Sequence, residues 1–320
     1  MERIRAGLLG SALVVVGCAH PPPKEREAAP SLVASAAPSP MAITASAPPA
    51  VAEPEPPKPP PYDLAGDLED RKALLRNKLG KQTKFEVVEG VFLVAAPSGA
   101  LGSSAVVTKK ALAAYYNKRV DKRPARAVSV LLFETAAPYE AYCKARSGKA
   151  CGTPYGFYGP DDRTIVMNVG PGIGTLTHEL VHPIVEADFP NAPDWLNEGL
   201  ASLYEAFALP KDGEIRGQKN FRHAGLKSAL LDKSLRPHAS LPALFGMSDK
   251  EFRGEREGLN YATARYFCQW LESQGKLWAF YQAWRDNRAK DPDGVLAFTS
   301  VMGKSPAALD GAWAAWVLAL

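Results

Sequence analysis

The chain has 320 residues and a mass of 34.4 kDa, and 46% of its residues are hydrophobic, the proportion of an ordinary globular protein with a sizeable core. Its 38 Lys and Arg against 34 Asp and Glu leave a net charge of +4 with both signs interspersed, so no concentrated basic field exists to gather nucleic-acid phosphates. Four Cys residues exclude a disulfide-dense scaffold.

Arg3 and Arg5 precede an apolar run from Ala6 to Gly17, the layout of a secretory signal, predicted here over residues 1–17. Its twelve residues fall short of the roughly twenty that a membrane-spanning helix needs. At its end, Val15-Val16-Gly17-Cys18 resembles the lipobox of bacterial lipoproteins. That resemblance implies lipidation at Cys18, and several acyl chains would hold the exported protein at a bacterial membrane where one gives only marginal binding. Ala19, after the lipid site, resembles the residue found there in lipoproteins sent to an outer membrane. Of the 28 Pro residues, 14 fall between Pro21 and Pro61, in sequence otherwise made of Ala, Ser and a few charges. Residues 18–61 therefore read as a lipidated Cys and a disordered tether, which in polyproline II at ~3.1 Å per residue would reach roughly 130 Å.

The folded domain is expected over residues 62–320. A short amphipathic helix over Asp67–Arg76 ends at Gly80, and two paired strands follow, Lys84–Glu89 and Val91–Ala95. A helix is predicted from Ser103 to Val120, a buried strand over Ala127–Phe133 and a short helix over Ala137–Arg146. Tyr155–Tyr158 and Thr164–Val169 read as two strands joined by a turn at Gly159-Pro160-Asp161-Asp162. Beyond Gly174 the pattern is helical almost to the end. Strands first and helices afterwards predict an α+β fold, a small mixed or antiparallel sheet followed by a helical half. Cys143 and Cys151, eight positions apart around a polar loop, either pair in an exported chain or stay as thiols, whereas Cys268, beside Phe267 and Trp270, reads as a buried small hydrophobe. His20, His223 and His238 are isolated and read as surface or loop residues.

His178-Glu179-Leu180-Val181-His182 is an HExxH motif whose spacing of four puts both imidazoles on one helix face, with Glu179 placed to address a water rather than the metal. Sixteen residues after His182 comes Glu198, in a second helical stretch behind the breaker cluster Pro190–Asp194. Two helices joined by such a turn can bring a carboxylate to a third metal position, and two His with one Glu plus water is an established catalytic zinc set.

HELVH followed by WLNEGLAS resembles the gluzincin zinc metallopeptidases, specifically the peptidase MA-like group. The likeness extends back to Gly156-Phe157-Tyr158 and Thr164–Asn168, similar to the strand pair before the zinc helix in that group. It extends forward to Asn260–Tyr266, Trp270-Leu271 and Gly275, similar to its later helix, and to Trp313 and Trp316 at its end. The resemblance implies a thermolysin-like architecture and one Zn²⁺ per chain, with His178, His182 and Glu198 as ligands and Glu179 as general base toward a water. It further implies Tyr261 as hydrogen-bond donor to the tetrahedral oxyanion, although Tyr261, Ala264, Cys268 and Leu271 also form a helical core stripe. Ser202, one turn after Glu198, is placed to orient a ligand, and Thr164–Val169 to offer an edge to an extended peptide. Pro183 departs from the pattern: it removes the helical bond to the Glu179 carbonyl and predicts a kink that both histidines precede.

These features lead to the expectation of a membrane-tethered peptidase outside the cytoplasm, acting on a peptide or protein. The readings set against it are a non-catalytic surface module in which zinc braces two helices beside a peptide- or wall-binding groove, and a hydrolase of a non-peptide wall amide.

Overall fold

In the computed structural model, residues 61–320 are described, and the signal, Cys18 and tether predicted from the sequence lie outside them. The first described element is a helix, α1 (Leu64–Leu79), stopped by Gly80 at φ +104°, a backbone state that residues with a side chain rarely adopt. Two strands follow as a hairpin, β1 (Lys84–Val88) and β2 (Phe92–Ala96). Glu89 and Gly90 at its tip both have positive φ, and the Val91 N–H closes the turn onto the Val88 carbonyl at 3.3 Å.

Next come α2 (Ser103–Tyr116), β3 (Val128–Phe133), α3 (Ala136–Ser147), β4 (Gly156–Gly159) and β5 (Thr164–Asn168). The helix α2 stops four residues short of the expected Val120, with Lys118 at φ +62° beyond its end. Together the strands make one mixed sheet in the order β1-β2-β3-β5-β4, in which β2, β3 and β5 run parallel and the outer strands β1 and β4 antiparallel. Every residue of β2, β3 and β5 is buried, as a sheet covered on both faces requires. Alternate residues serve opposite faces: Val94, Val130, Leu132, Ile165 and Met167 join the large core with α2, whereas Leu93, Ala95, Leu131, Phe133 and Val166 pack beneath α1 and α3.

One expectation is corrected here. The strand Thr164–Val169 offers no edge, because β5 lies between β3 and β4. The chain passes from β3 through α3 to the rim and then turns inward, so the shorter β4 becomes the outer strand. A disulfide joins Cys143 of α3 to Cys151 in the loop leading to β4.

The second half is built from α4 (Gly174–Glu179), α5 (Val181–Asp188), α6 (Asp194–Leu203), α7 (Arg222–Leu231), α8 (Leu241–Phe245), α9 (Asp249–Phe252), α10 (Glu257–Ser273), α11 (Leu277–Asn287), α12 (Val295–Met302) and α13 (Pro306–Ala319). Between α6 and α7 lies a small antiparallel pair, β6 (Phe207–Ala208) and β7 (Arg216–Gly217), where the sequence predicted only helix. Strands of two residues are too short to show an alternating pattern. All residues from Asn260 to Leu271 of α10 are buried, so this helix is the axis on which the others pack. Its closest neighbour is α6, where Gly199 faces Ala264 so tightly that a Cβ would stand 3.1 Å from backbone atoms of Ala264. Cys268 is buried in this core. His223, expected at the surface, is also buried: its Nε2 lies 2.9 Å from the Val317 carbonyl oxygen and its ring 5.4 Å from that of Tyr266. That pairing across 94 residues has no local signature.

Reducing the disulfide, or replacing both Cys143 and Cys151 with Ser, is expected to lower stability by about 2–3 kcal/mol in the chain-entropy treatment of a small ring. Paired thermal melts with and without reductant measure this; equal melting temperatures would show that the bridge contributes nothing.

Candidate metal centre

His178 and His182 do not sit on one unbroken helix. Pro183 has no N–H to give the Glu179 carbonyl and its ring crowds that oxygen, so the interruption falls at Leu180, between α4 and α5. The sequence reading placed both histidines before the break; instead they straddle it, because proline acts on the carbonyl four residues upstream. Leu180 keeps right-handed helical angles, φ −65° and ψ −26°, and its N–H still reaches the Leu176 carbonyl at 3.0 Å. The rotation along the chain is preserved, and the two imidazole rings lie 5.0 Å apart at 75°.

Glu198 comes from α6, which starts immediately after Pro193, where the fixed φ and absent N–H of proline suit a helix start. His178, His182 and Glu198 are all buried, and their ligand atoms lie within 4.8 Å of one another, a group able to hold a metal ion. Two donors of one tetrahedral ion bound at about 2.0–2.2 Å stand about 3.3–3.6 Å apart. His178 Nε2 and Glu198 Oε2 are 3.4 Å apart, so this edge already has the size of a metal tetrahedron, and the longer ones are within reach of side-chain rotation.

The surrounding contacts orient these donors. His178 Nδ1 is 3.3 Å from Glu205 Oε1, and Glu205 is fixed by Arg222 at 2.9 and 3.1 Å and by Asn220 Nδ2 at 3.0 Å. His182 Nδ1 is 3.2 Å from Asn197 Oδ1. Acceptors at both Nδ1 atoms hold the proton there and leave the Nε2 lone pairs for an ion, the arrangement that metal-binding imidazoles use. Thr177 fixes the approach of α4: its hydroxyl lies 2.6 Å from the Tyr204 carbonyl, and its own carbonyl accepts from the Tyr115 hydroxyl at 3.1 Å. Gly174 is pressed so closely on the Glu205 carbonyl that a Cβ would sit 2.1 Å from it.

The electrostatics agree with ligand chemistry. Burial, aided by the neighbouring His178, lowers the His182 pKa to about 4 against the pull of Glu198, so the imidazole is neutral at pH 7. Burial opposes ionisation of Glu198, but His182, His178 and Arg253 outweigh it and hold its carboxyl well below the usual range. Glu205, likewise buried, is brought down to about 2 by His178 and Arg222.

Glu179 is fully buried, with Oε2 3.8 Å from His182 Nε2, so its carboxylate faces the side on which the ligand atoms converge. Tyr261 lies in the core, as its helical stripe predicts. Its ring is buried against Phe252 at 4.9 Å, while its hydroxyl accepts a hydrogen bond from Arg253, whose other nitrogen reaches Glu198 Oε1 at 2.7 Å. Ser202 does not orient a ligand: its buried hydroxyl makes no hydrogen bond to any described residue, and Glu205, a turn further on, takes that place. Asn197, Glu205, Arg222 and Arg253 were missed. Asn197 stands beside Glu198 in α6 and was discoverable as a polar group of that helix; Glu205 lies beyond its end, and Arg222 and Arg253 arrive from distant segments with no motif around them.

Among the described residues, four cavities of 470 to 790 Å³ have walls that do not include His178, Glu179, His182 or Glu198. One of them is lined by Phe221, Leu226, Leu259, Ala262 and Arg222, the residue that holds Glu205. Comparison with protein-family models and with curated proteins gave no match.

Glu205→Gln is expected to weaken metal binding about 10–100-fold by removing the charge that orients His178. Titration calorimetry on the apoprotein measures it, with the exposed Asp212→Asn as control; equal affinities in the two variants would remove Glu205 from the centre.

Proposed function

We propose that the chain is a zinc-dependent peptidase of gluzincin type with thermolysin-like architecture, tethered outside the cytoplasm by a lipid on Cys18. The observation that carries this reading is the convergence of His178, His182 and Glu198 with Glu179 beside them. Two imidazoles and one carboxylate match the borderline-soft zinc ion, and a three-residue set leaves a position for water. Zinc bound there would supply Lewis-acid polarisation of a carbonyl and acidification of a water molecule.

The residues of the chain supply the rest. Glu179 accepts the proton of the attacking water and returns it to the leaving nitrogen as the peptide bond breaks. Arg253 donates to the Tyr261 oxygen, which polarises the Tyr261 O–H as a donor for the developing oxyanion. The backbone of an extended peptide would add to the outer strand β4, which Tyr158 ties to α5 through a 2.9 Å bond to Glu186.

Glu179→Gln is expected to retain zinc and to lose at least about 10²-fold of chelator-sensitive casein cleavage, the usual share of a general base. The burial of the whole cluster, with exposures of 0–3% for the three ligands and Glu179, favours one second reading, in which the ion braces α4, α5 and α6 without catalysis. A wild type that holds zinc and cleaves no unfolded protein would decide for that reading.

The lipid anchor has its own test. Cys18→Ser should move the protein from the membrane fraction to the soluble one without changing zinc content; a variant that stays with the membrane would remove the lipid from the proposal.

A further inference from the structure

Arg253 is a long-range partner of the metal cluster, placed just after α9. Its guanidinium has three directed contacts: Nη2 to Glu198 Oε1 at 2.7 Å, Nε to Asp194 Oδ2 at 2.9 Å and Nη1 to the Tyr261 hydroxyl, with Glu257 Oε1 3.7 Å away. The support beneath it is firm. Asn260 Nδ2 of α10 donates to the carbonyls of Glu251 and Phe252 at 3.0 Å each, and the Asp194 N–H at the start of α6 donates to Asp249 Oδ1 at 2.8 Å. Three helices thus hold one planar fork over one buried carboxylate.

A carboxylate can give a metal one oxygen or two, and the choice decides how much of the ion is left for substrate. Bidentate binding with two imidazoles makes four protein donors; monodentate binding makes three and leaves room. Arg253 engages Oε1, and the other oxygen, Oε2, stands 3.4 Å from His178 Nε2. The guanidinium is permanently charged and geometrically rigid, so it competes for Oε1 over the whole working pH range and a lysine would not reproduce its fork.

We propose that Arg253 is the positioning residue that restricts Glu198 to one metal-binding oxygen and, through the same guanidinium, fixes the Tyr261 hydroxyl relative to that ligand. This inference rests on the metal-site reading above and adds a residue that neither the zinc motif nor its spacing reveals. The consequence is geometric. Without Arg253, Glu198 is released to chelate, the ion gains a protein donor, and Tyr261 loses its fixed distance from the centre.

Cobalt substitution reads this directly, because the visible absorption of Co²⁺ is intense when four-coordinate and weaker when five-coordinate. The full chain loaded with Co²⁺ is compared as wild type, Arg253→Gln and Asp194→Asn, with circular dichroism to establish folding. Arg253→Gln is expected to show the weaker, five-coordinate spectrum and a zinc affinity no lower than that of the wild type, since the ion gains a donor and loses a neighbouring positive charge. Asp194→Asn, which loosens the fork from its far side and leaves Glu198 and Arg253 in place, is expected to shift the spectrum the same way by a smaller amount, and it carries the test if the Arg253 variant does not fold. Folded variants with the wild-type spectrum would overturn the role of Arg253 while leaving the metal centre intact. A folded wild type that takes up neither cobalt nor zinc would overturn the centre and this inference together.

Discussion

A carboxylate with 1% exposure, Glu198, is the constraint around which the helical half is organised. An ionised carboxyl taken out of water costs several kcal/mol unless opposite charge and hydrogen bonds surround it. Here the compensating charge is the Arg253 guanidinium at 2.7 Å, within a relay of contacts, Arg222, Glu205, His178, Glu198, Arg253 and Asp194, each 2.7 to 3.4 Å from the next. Removing an inner member exposes two neighbours to the desolvation cost, so the cluster behaves as a unit. Such a relay is expensive as mere bracing, since an apolar cluster of the same volume would hold α4 and α6 together at least as well.

The parallel strands supply the rigidity this cluster needs. β2, β3 and β5 are buried on both faces, and α2 and α4 lie on the same side, so the Tyr115 hydroxyl of α2 can anchor Thr177, the residue before the first ligand. On the other flank, Gly199 lets α6 approach α10 closely enough for Tyr261 and Glu198 to share Arg253. A site mounted on strands and helices rather than on loops keeps its ligand atoms within the tolerance that coordination and catalysis demand.

Local chemistry was the legible part of this protein. The strands of the sheet, α3 and the HExxH helix announce themselves through buried apolar runs and periodicity, and the ligand triad through residue types whose spacing has a reason. What could not be read was pairing between distant segments. β5 looks like any apolar strand whether it lies inside a sheet or at its rim; only the path of α3 and β4 decides. Arg253 stands 55 residues from Glu198, and nothing near it in sequence distinguishes it from Arg256, a solvent-facing neighbour. Ser202 lies one helical turn after Glu198, but α6 ends at Leu203, and Glu205 follows its own backbone course back to His178.

Pro183 carries the same lesson about where a helix stores its order. The missing hydrogen bond separates α4 from α5, yet the two imidazoles remain 5.0 Å apart and turned toward Glu198. Their alignment therefore does not depend on an unbroken backbone ladder. Asn197 fixes His182 and Glu205 fixes His178, and both belong to α6 or its immediate continuation, so the partner helix sets the ligand geometry while Leu180, still right-handed, preserves the angular spacing. A proline at that position costs local helix stability but leaves the donors where packing puts them, and the hydrogen bond it removes is the one to the carbonyl of Glu179, the residue proposed to move protons.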